Sequence, residues 1–296
     1  MKLLTFLQDG KEILGVKTDE GIINVTMAAS AQLSNEIPID VMEVIAGGEK
    51  AISAISNLIN QLGSKSDYLV KEDNIEWAPV VTKPSKIICV GLNYRKHADE
   101  TNSPYPEYPI LFNKFNNTLT GNLQEIPIPK VTEKLDYEVE LGIVIGKEVK
   151  EVTEDEALDF VFGYVTTNDL SARDLQFKTS QWLLGKSCDG FSPVGPYLVT
   201  HDEVGDPQKL NLKTVVNGKV RQDSSTADMI FSCKEIISFI SQHMTLVPGD
   251  IILTGIPEGV IMGDLENQQV YLQPGDEVTV EVEKLGTLKN TFVVEQ

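Results

Sequence analysis

Histidine and cysteine are both scarce in this chain, with three of each among 296 residues. His97, His201 and His243 are too few and too scattered for a multi-histidine metal centre. Any bound metal would therefore rely on carboxylates, which favours Mg²⁺ or Mn²⁺ over zinc or copper. Cys89, Cys188 and Cys233 are odd in number and far apart. They suit reduced thiols in a cytoplasmic protein, and neither a disulfide framework nor a zinc site. Positive charge is short as well: 25 Lys and Arg face 44 Asp and Glu, for a net charge of −19. No basic cluster rises above scattered pairs, which argues against nucleic acid and against an anionic membrane surface as partners. No apolar run reaches the length of a membrane span. The opening MKLLTFLQDGKEILGV has too short an apolar stretch for a signal peptide, and Asp9-Gly10 interrupts it, so it predicts a β-hairpin.

What the chain does contain is strand signal and turn chemistry. Residues 1–77 read as a small α/β domain: a hairpin over Leu3–Val16, a strand near Ile22–Val25, then two helices. The second, Glu49–Leu62, carries Ile52, Ile55, Leu58, Ile59 and Leu62 on one face, with Gly63 as its stop. Residues 78–85, APVVTKPS, hold two prolines and read as a linker. Residues 86–296 form a larger domain in which strands dominate. Thr153 with Glu156 predicts a capped helix through Phe162, and Ser232 with Glu235 a second carrying Ile236, Ile237, Ile240 and Met244 on one side. Asn217-Gly218 predicts a type I′ hairpin. Two Pro-Gly-Asp turns, at 248–250 and 274–276, each lead into a β-rich run. The predicted class is α+β: a mostly β domain, as a curled mixed sheet or sandwich with short helices, plus the small N-terminal unit.

Chemistry concentrates between Leu135 and Asp174. In LDYEVELGIVIG, Asp136, Glu138 and Glu140 alternate with Leu135, Tyr137, Val139 and Leu141. Read as one strand, period two puts the acids on one face. With Asp169 after Thr166-Thr167-Asn168, that row is what an all-oxygen divalent site needs. It also describes the solvated face of a half-buried strand. His97 and Glu100, three apart in HADE, would share a helix face, where a carboxylate orients an imidazole as a general base; a solvated surface pair has the same spacing. Lys186, in QWLLGKSCDG, is a lone cation that either holds a developing oxyanion or lies on the surface. Arg173 is either a carboxylate clamp or the partner of Asp174. The loop LTGIPEGV could bring backbone N–H groups to a ligand. His243 is explained by a helix dipole, and His201 has no evident role.

Taken in order, seven segments resemble the fumarylacetoacetate hydrolase family over roughly residues 86–293: CVGLNYRKHADE, LDYEVELGIVIG, GYVTTNDLSARDLQ, WLLGKSCDGFSPVGP, VNGKVRQ, LVPGDIILTGIPEGV and QPGDEVTVEVEKLGTLKN. The N-terminal unit resembles the family's accessory domain. The resemblance implies Glu138, Glu140 and Asp169 as ligands of Mg²⁺ or Mn²⁺, and His97 with Glu100 as a lid dyad. It also implies Lys186 as the active-site lysine, Arg173 and Gln176 as residues facing the substrate, and Thr254 and Gly255 as the loop receiving its carboxylate. The HxxE pair is similar to that of the acylpyruvase and oxaloacetate decarboxylase branch. The activity so implied is C–C bond hydrolysis or decarboxylation of small anionic 2-oxo or β-diketo acids through a metal-stabilised enolate, in a homodimer. Isomerase, dehydratase or lyase chemistry on related acids is the alternative, as is a member that binds metal and acid without turnover. One departure stands out: the usual TGTP reads TGIP, with Ile256 in place of a hydroxyl.

Overall fold

Two tight turns act where the local sequence demands them. Asp9 and Gly10 both take positive φ, 51° and 72°, and close Lys2–Gln8 onto Lys11–Thr18. Asn217 and Gly218, at 48° and 78°, do the same between Asn211–Val216 and Lys219–Ser225. The computed structural model describes residues 1–32, 37–62 and 66–296.

The hairpin is the start of a mixed sheet of 12 strands. From Lys2–Gln8 the order runs through Ser192–Thr200, Val161–Asn168, Val139–Ile145, Ile251–Leu253 and Ile87–Gly91 to Ile110–Lys114. Lys2 lies opposite Val199, so backbone hydrogen bonds join the N-terminal segment to the large sheet. The two-proline segment after it is packed, not solvated. Val80 and Val81 are buried, and the Ala78 and Val80 N–H groups donate to Thr5 O and Val194 O. A second sheet of five strands runs Lys219–Ser225, Asn211–Val216, Glu277–Val282, Gly286–Val294, Glu125–Ile128.

Alternation along Val139–Ile145 decides what each face meets. Leu141, Ile143 and Ile145 enter one core with Val278, Val280, Leu288 and Phe292 of the smaller sheet. Val144 enters the other, with Val44, Ile45, Ile55 and Leu58 from the helix Val41–Leu62. The central strand is thus covered on both faces, and the idea of a solvated acidic face falls. Glu138 is 2% and Glu140 1% exposed.

The strand expected over Leu135–Leu141 comes in two pieces. Leu135–Asp136 pairs with Ser171–Ala172, and Val139–Ile145 pairs with Val161–Asn168. Between them, the Glu138 N–H is captured by Asn168 Oδ1 at 2.8 Å, and the Tyr137 hydroxyl donates to Gly259 O at 2.9 Å. That break separates Asp136 from the two glutamates. The smaller expectations hold in part. An additional helical segment from Val41 ends at a kink at Gly48, where φ is 54°, and the helix expected from Glu49 follows it to Leu62; its expected stop at Gly63 lies outside the described residues. The Thr153 capping box opens a helix that tightens to a 3₁₀ turn ending at Phe160, because Val161 already starts a strand. The Ser232 box opens Cys233–His243 as expected, with Ile236, Ile237 and Ile240 buried.

Candidate active site

Glu138 and Glu140 come from the start of the acid strand, and Asp169 is the first residue after its neighbour. Register brings them together. Val139 pairs with Asn168, so the chain leaving at Asp169 passes beside Glu138, whose carbonyl accepts the Asp169 N–H at 2.9 Å. One oxygen from each acid lies within 4.8 Å of the others, and all three side chains are buried. Three buried like charges repel unless something compensates them.

Three buried cations do much of that. Lys186 Nζ lies 2.5 Å from Glu138 Oε2 and 3.0 Å from Asp169 Oδ2. Arg173 Nη1 is 2.6 Å from Glu138 Oε1, while its Nε and Nη2 are each 2.9 Å from Asp136 Oδ2. Lys114 pairs with Asp169 Oδ1 and donates to Phe191 O at 2.6 Å and Leu170 O at 3.3 Å. Four carboxylates, Asp136 included, therefore face three cations. Among the described residues Glu140 has no cationic partner; its Oε2 accepts only the Gly255 N–H, at 2.7 Å.

The imbalance appears in the protonation of the two glutamates. Burial pushes both upward. For Glu138 the Arg173 guanidinium and Lys186 ammonium outweigh burial and hold the carboxyl at about 2. Glu140 rises well above the ordinary carboxylate range, because Asp169 and Glu138 add repulsion that the Gly255 N–H offsets only in part. Burial pulls Lys186 down, but Asp169 and Glu138 more than reverse it, so it stays an ammonium. An all-carboxylate cluster with one unmatched charge fits a hard divalent cation, and it offers none of the nitrogen or sulfur donors that zinc or copper prefers.

The three acids line a cavity of about 190 Å³. Its apolar lining comes from Val90, Phe112, Trp182, Ile256 and Met262. His97, buried on the short helix Arg95–Glu100, also faces the cavity. Its Nδ1 is 3.2 Å from Glu100 Oε2. A carboxylate only accepts, so in the neutral ring this contact assigns the proton to Nδ1 and leaves Nε2 as the acceptor. Glu100 Oε1 accepts the Gly259 N–H at 3.0 Å, and Arg95 Nη1 donates to Asp228 O at 3.1 Å. These bonds tie the helix to the Gly259 loop and to Asp228.

Residues 86–293 match the family described as fumarylacetoacetate (FAA) hydrolase, C-terminal. The chain belongs to the fumarylacetoacetate hydrolase family. It is 42% identical over 259 residues to the oxaloacetate tautomerase FAHD2A, mitochondrial, of Bos taurus, covering 87% of this chain and 81% of that one. It is 38% identical over 284 residues to the Homo sapiens protein of the same description, covering 95% and 87%. Among solved structures, a fumarylacetoacetate hydrolase from psychrophilic Exiguobacterium antarcticum superposes with a TM-score of 0.84 at 35% identity, over 100% of both chains. A maleylpyruvate hydrolase from Sphingobium sp. SYK-6, in complex with manganese(II) and pyruvate, gives 0.77 at 27% identity, again over 100% of both. The α+β class expected from sequence is the fold this family shares. No helix among the described residues is long and apolar enough to cross a membrane.

Against the positions that family resemblance singled out, the structure brings Glu138, Glu140, Asp169, Lys186, Arg173, Gln176 and His97 to one cavity. Glu100 stands behind His97. Thr254 and Gly255 do not line the cavity: the Thr254 hydroxyl donates to Leu141 O at 2.8 Å, and Gly255 backs Glu140. Ile256 is the loop residue that faces inward. Arg173 pairs with Asp136 and not with Asp174, whose carboxylate accepts from the Glu133 N–H and the Thr132 hydroxyl. Lys186 is neither lone nor on the surface. Sequence reasoning passed over Lys114 altogether. Its signal was its parity, two residues after Phe112 on a strand whose Phe112 faces the cavity.

Proposed function

We propose that this protein is a divalent-cation-dependent enzyme that interconverts keto and enol forms of a small 2-oxo dicarboxylic acid of the oxaloacetate type. The observation that carries the reading is the single small cavity that joins the acid triad, Lys186 and the His97–Glu100 pair. About 190 Å³ is below the usual range for drug-sized ligands and suits an acid of few carbons. The tautomerase descriptions of relatives near 40% identity point the same way.

Glu138, Glu140 and Asp169 would hold Mg²⁺ or Mn²⁺, which when bound supplies Lewis-acid stabilisation of negative charge on the substrate. The protein's own groups do the rest. Arg173, 4% exposed, keeps Nη2 without a hydrogen bond of good geometry, so it can take a carboxylate oxygen of the acid. Gln176 Oε1, accepting from Arg173 Nη1 at 3.0 Å, fixes the plane of that guanidinium. His97 Nε2 removes the proton from the carbon beside the 2-oxo group, and Glu100 stabilises the imidazolium so formed. Charge then collects on the 2-oxo oxygen, where the Lys186 ammonium stabilises it and supplies a proton, giving the enol. Both groups return to their starting states by exchange with solvent.

C–C bond hydrolysis or decarboxylation is the second reading. It is favoured by the dyad, since a glutamate-backed histidine can also deprotonate water, and by the likeness to a maleylpyruvate hydrolase. The test is a product screen on metal-stripped protein with Mn²⁺ or Mg²⁺ restored. Loss of the enol absorbance of oxaloacetate scores tautomerisation, and pyruvate release from oxaloacetate or acylpyruvates scores cleavage. Full activity in EDTA would sink the cation requirement. The proposal includes a homodimer, checked by light scattering, and a reducing, cytoplasmic setting for the three free thiols, checked by fractionation.

A further inference from the structure

We propose that Lys114 is a positioning residue, one of three donors that each hold a single oxygen of the acid triad and so fix how many oxygens those acids present to a cation. The inference rests on the cation reading above. Glu138 Oε1 is held by Arg173 Nη1 at 2.6 Å, Glu140 Oε2 by the Gly255 N–H at 2.7 Å, and Asp169 Oδ1 by Lys114. The three donors come from unrelated places: the short helix Arg173–Gln176, the loop after Ile251–Leu253, and the end of the strand Ile110–Lys114. What remains is one oxygen from each acid. Two of these, Glu138 Oε2 and Asp169 Oδ2, are the pair that Lys186 touches.

Lys114 differs from Lys186 in having nothing left to give. Its side chain is 0% exposed, and its ammonium donates to Asp169 Oδ1, Leu170 O and Phe191 O. An ammonium has three N–H groups, so none is free for a ligand. Two of the acceptors are backbone carbonyls that cannot move without the chain. The third bond therefore has a fixed direction, and it stops Asp169 from turning both oxygens toward the cluster. With one oxygen per acid, an ion that takes about six ligands keeps about three positions for ligands that are not protein. Ca²⁺, which takes about six to eight oxygens and accepts two-oxygen carboxylates, gains most from an Asp169 that can turn.

The experiment titrates Mn²⁺ into the metal-stripped full-length protein, followed by electron paramagnetic resonance. Water-proton relaxation counts exchangeable waters on the bound ion, and Ca²⁺ serves as competitor. In Lys114→Met, the bound ion should lose about one water, and Ca²⁺ should gain on Mn²⁺ by about 10-fold, the scale on which groups behind metal ligands act. Lys114→Gln, which keeps an N–H toward Asp169, should stay near the wild type. Equal gains for both ions with unchanged relaxation would mean that Lys114 only neutralises charge, and would overturn the proposal. Should Lys114→Met fail to fold, the wild type decides: at most one exchangeable water on bound Mn²⁺ overturns the proposal, and about three supports it. Wild-type protein that binds no Mn²⁺ removes the cation reading and this inference together, whereas binding with the wrong water count removes this inference alone.

Discussion

Glu140 and Glu100 make an instructive pair. Each accepts one backbone N–H from the same loop, Gly255 for Glu140 at 2.7 Å and Gly259 for Glu100 at 3.0 Å. Glu140 stands on a central strand covered on both faces, beside two other carboxylates. The side chain of Glu100 is 23% exposed and sits on a six-residue helix whose His97 lines the cavity. The first environment raises the energy of a charge that cannot move away. The second orients a histidine with a group that water still reaches. On the proposed reading the acid cluster, the floor, would work through fixed electrostatics and the His97–Glu100 pair, the mouth, through proton handling, so the two could be damaged separately.

The largest effect is expected at the floor. Glu140→Gln or Asp169→Asn should cost about 10³-fold or more in every reaction the protein carries out, since the charge stabilisation lost is several kcal/mol. Tautomerisation and pyruvate release should fall together; survival of either one alone would break the comparison. Next comes the mouth. His97→Ala should cost about 10²- to 10⁴-fold in tautomerisation and in acylpyruvate hydrolysis, both of which need a general base. Oxaloacetate decarboxylation needs no proton removed by His97 and should suffer far less. Equal losses in all three would reduce His97 to a substrate-positioning role. Between floor and mouth stands Lys186, whose replacement by Met should lower kcat by about 10²-fold, as loss of a preorganised oxyanion donor does. Mn²⁺ binding, read by calorimetry, should not weaken, because the variant removes a cation that competes for Glu138 and Asp169.

The smallest effect is on stability, and its sign separates the two floor glutamates. Glu138 has a folded value of about 2 against 4.5, so its contribution is complete above 4.5 and disappears as pH falls toward 2. Glu140 has a folded value above 4.5, so the folded protein keeps a proton that the unfolded chain releases. That contribution is complete below 4.5 and is lost as pH rises through the folded value. Above pH 4.5, where the Glu138 contribution is already complete, metal-free protein should accordingly lose melting temperature as pH rises toward the folded Glu140 value, and Mn²⁺ should remove the slope. Glu140→Gln, neutral at every pH, should flatten it without metal; a slope unchanged in that variant would show that Glu140 is not its source.

What could be foreseen from the chain divides by sequence distance. The Asn217-Gly218 turn and the Ser232–Glu235 capping box were legible because four or fewer residues decide them. Glu138, Glu140 and Asp169 were legible as acids in an apolar setting, with their grouping supplied by family resemblance. The break at Tyr137 was not, because it depends on Asn168, thirty residues on, capturing one N–H. Asp136 with Arg173, 37 apart, and Lys114 with Asp169, 55 apart, escaped for the same reason. A buried ion pair carries no periodicity, and only the folded register tells which charge meets which. Thr254 looked like a ligand-facing hydroxyl until Leu141 O was seen to occupy it.

The loop that supplies the Glu140 donor has a consequence for how this sequence can change over generations. Gly255 takes a φ of +100°, and a Cβ there would meet Asn93 Cβ at 2.6 Å. Asn93 cannot retreat, since its side chain donates to Thr254 O at 2.7 Å and Phe231 O at 3.0 Å. Position 255 is closed to every residue with a side chain. Position 256, its neighbour, turns into the cavity. On the proposed reading, a lineage could vary the cavity wall at 256, exchanging the present isoleucine for a hydroxyl or a smaller group, while the Gly255 N–H stays on Glu140. Variation in the cavity wall is separated by one peptide bond from variation that the backbone does not permit.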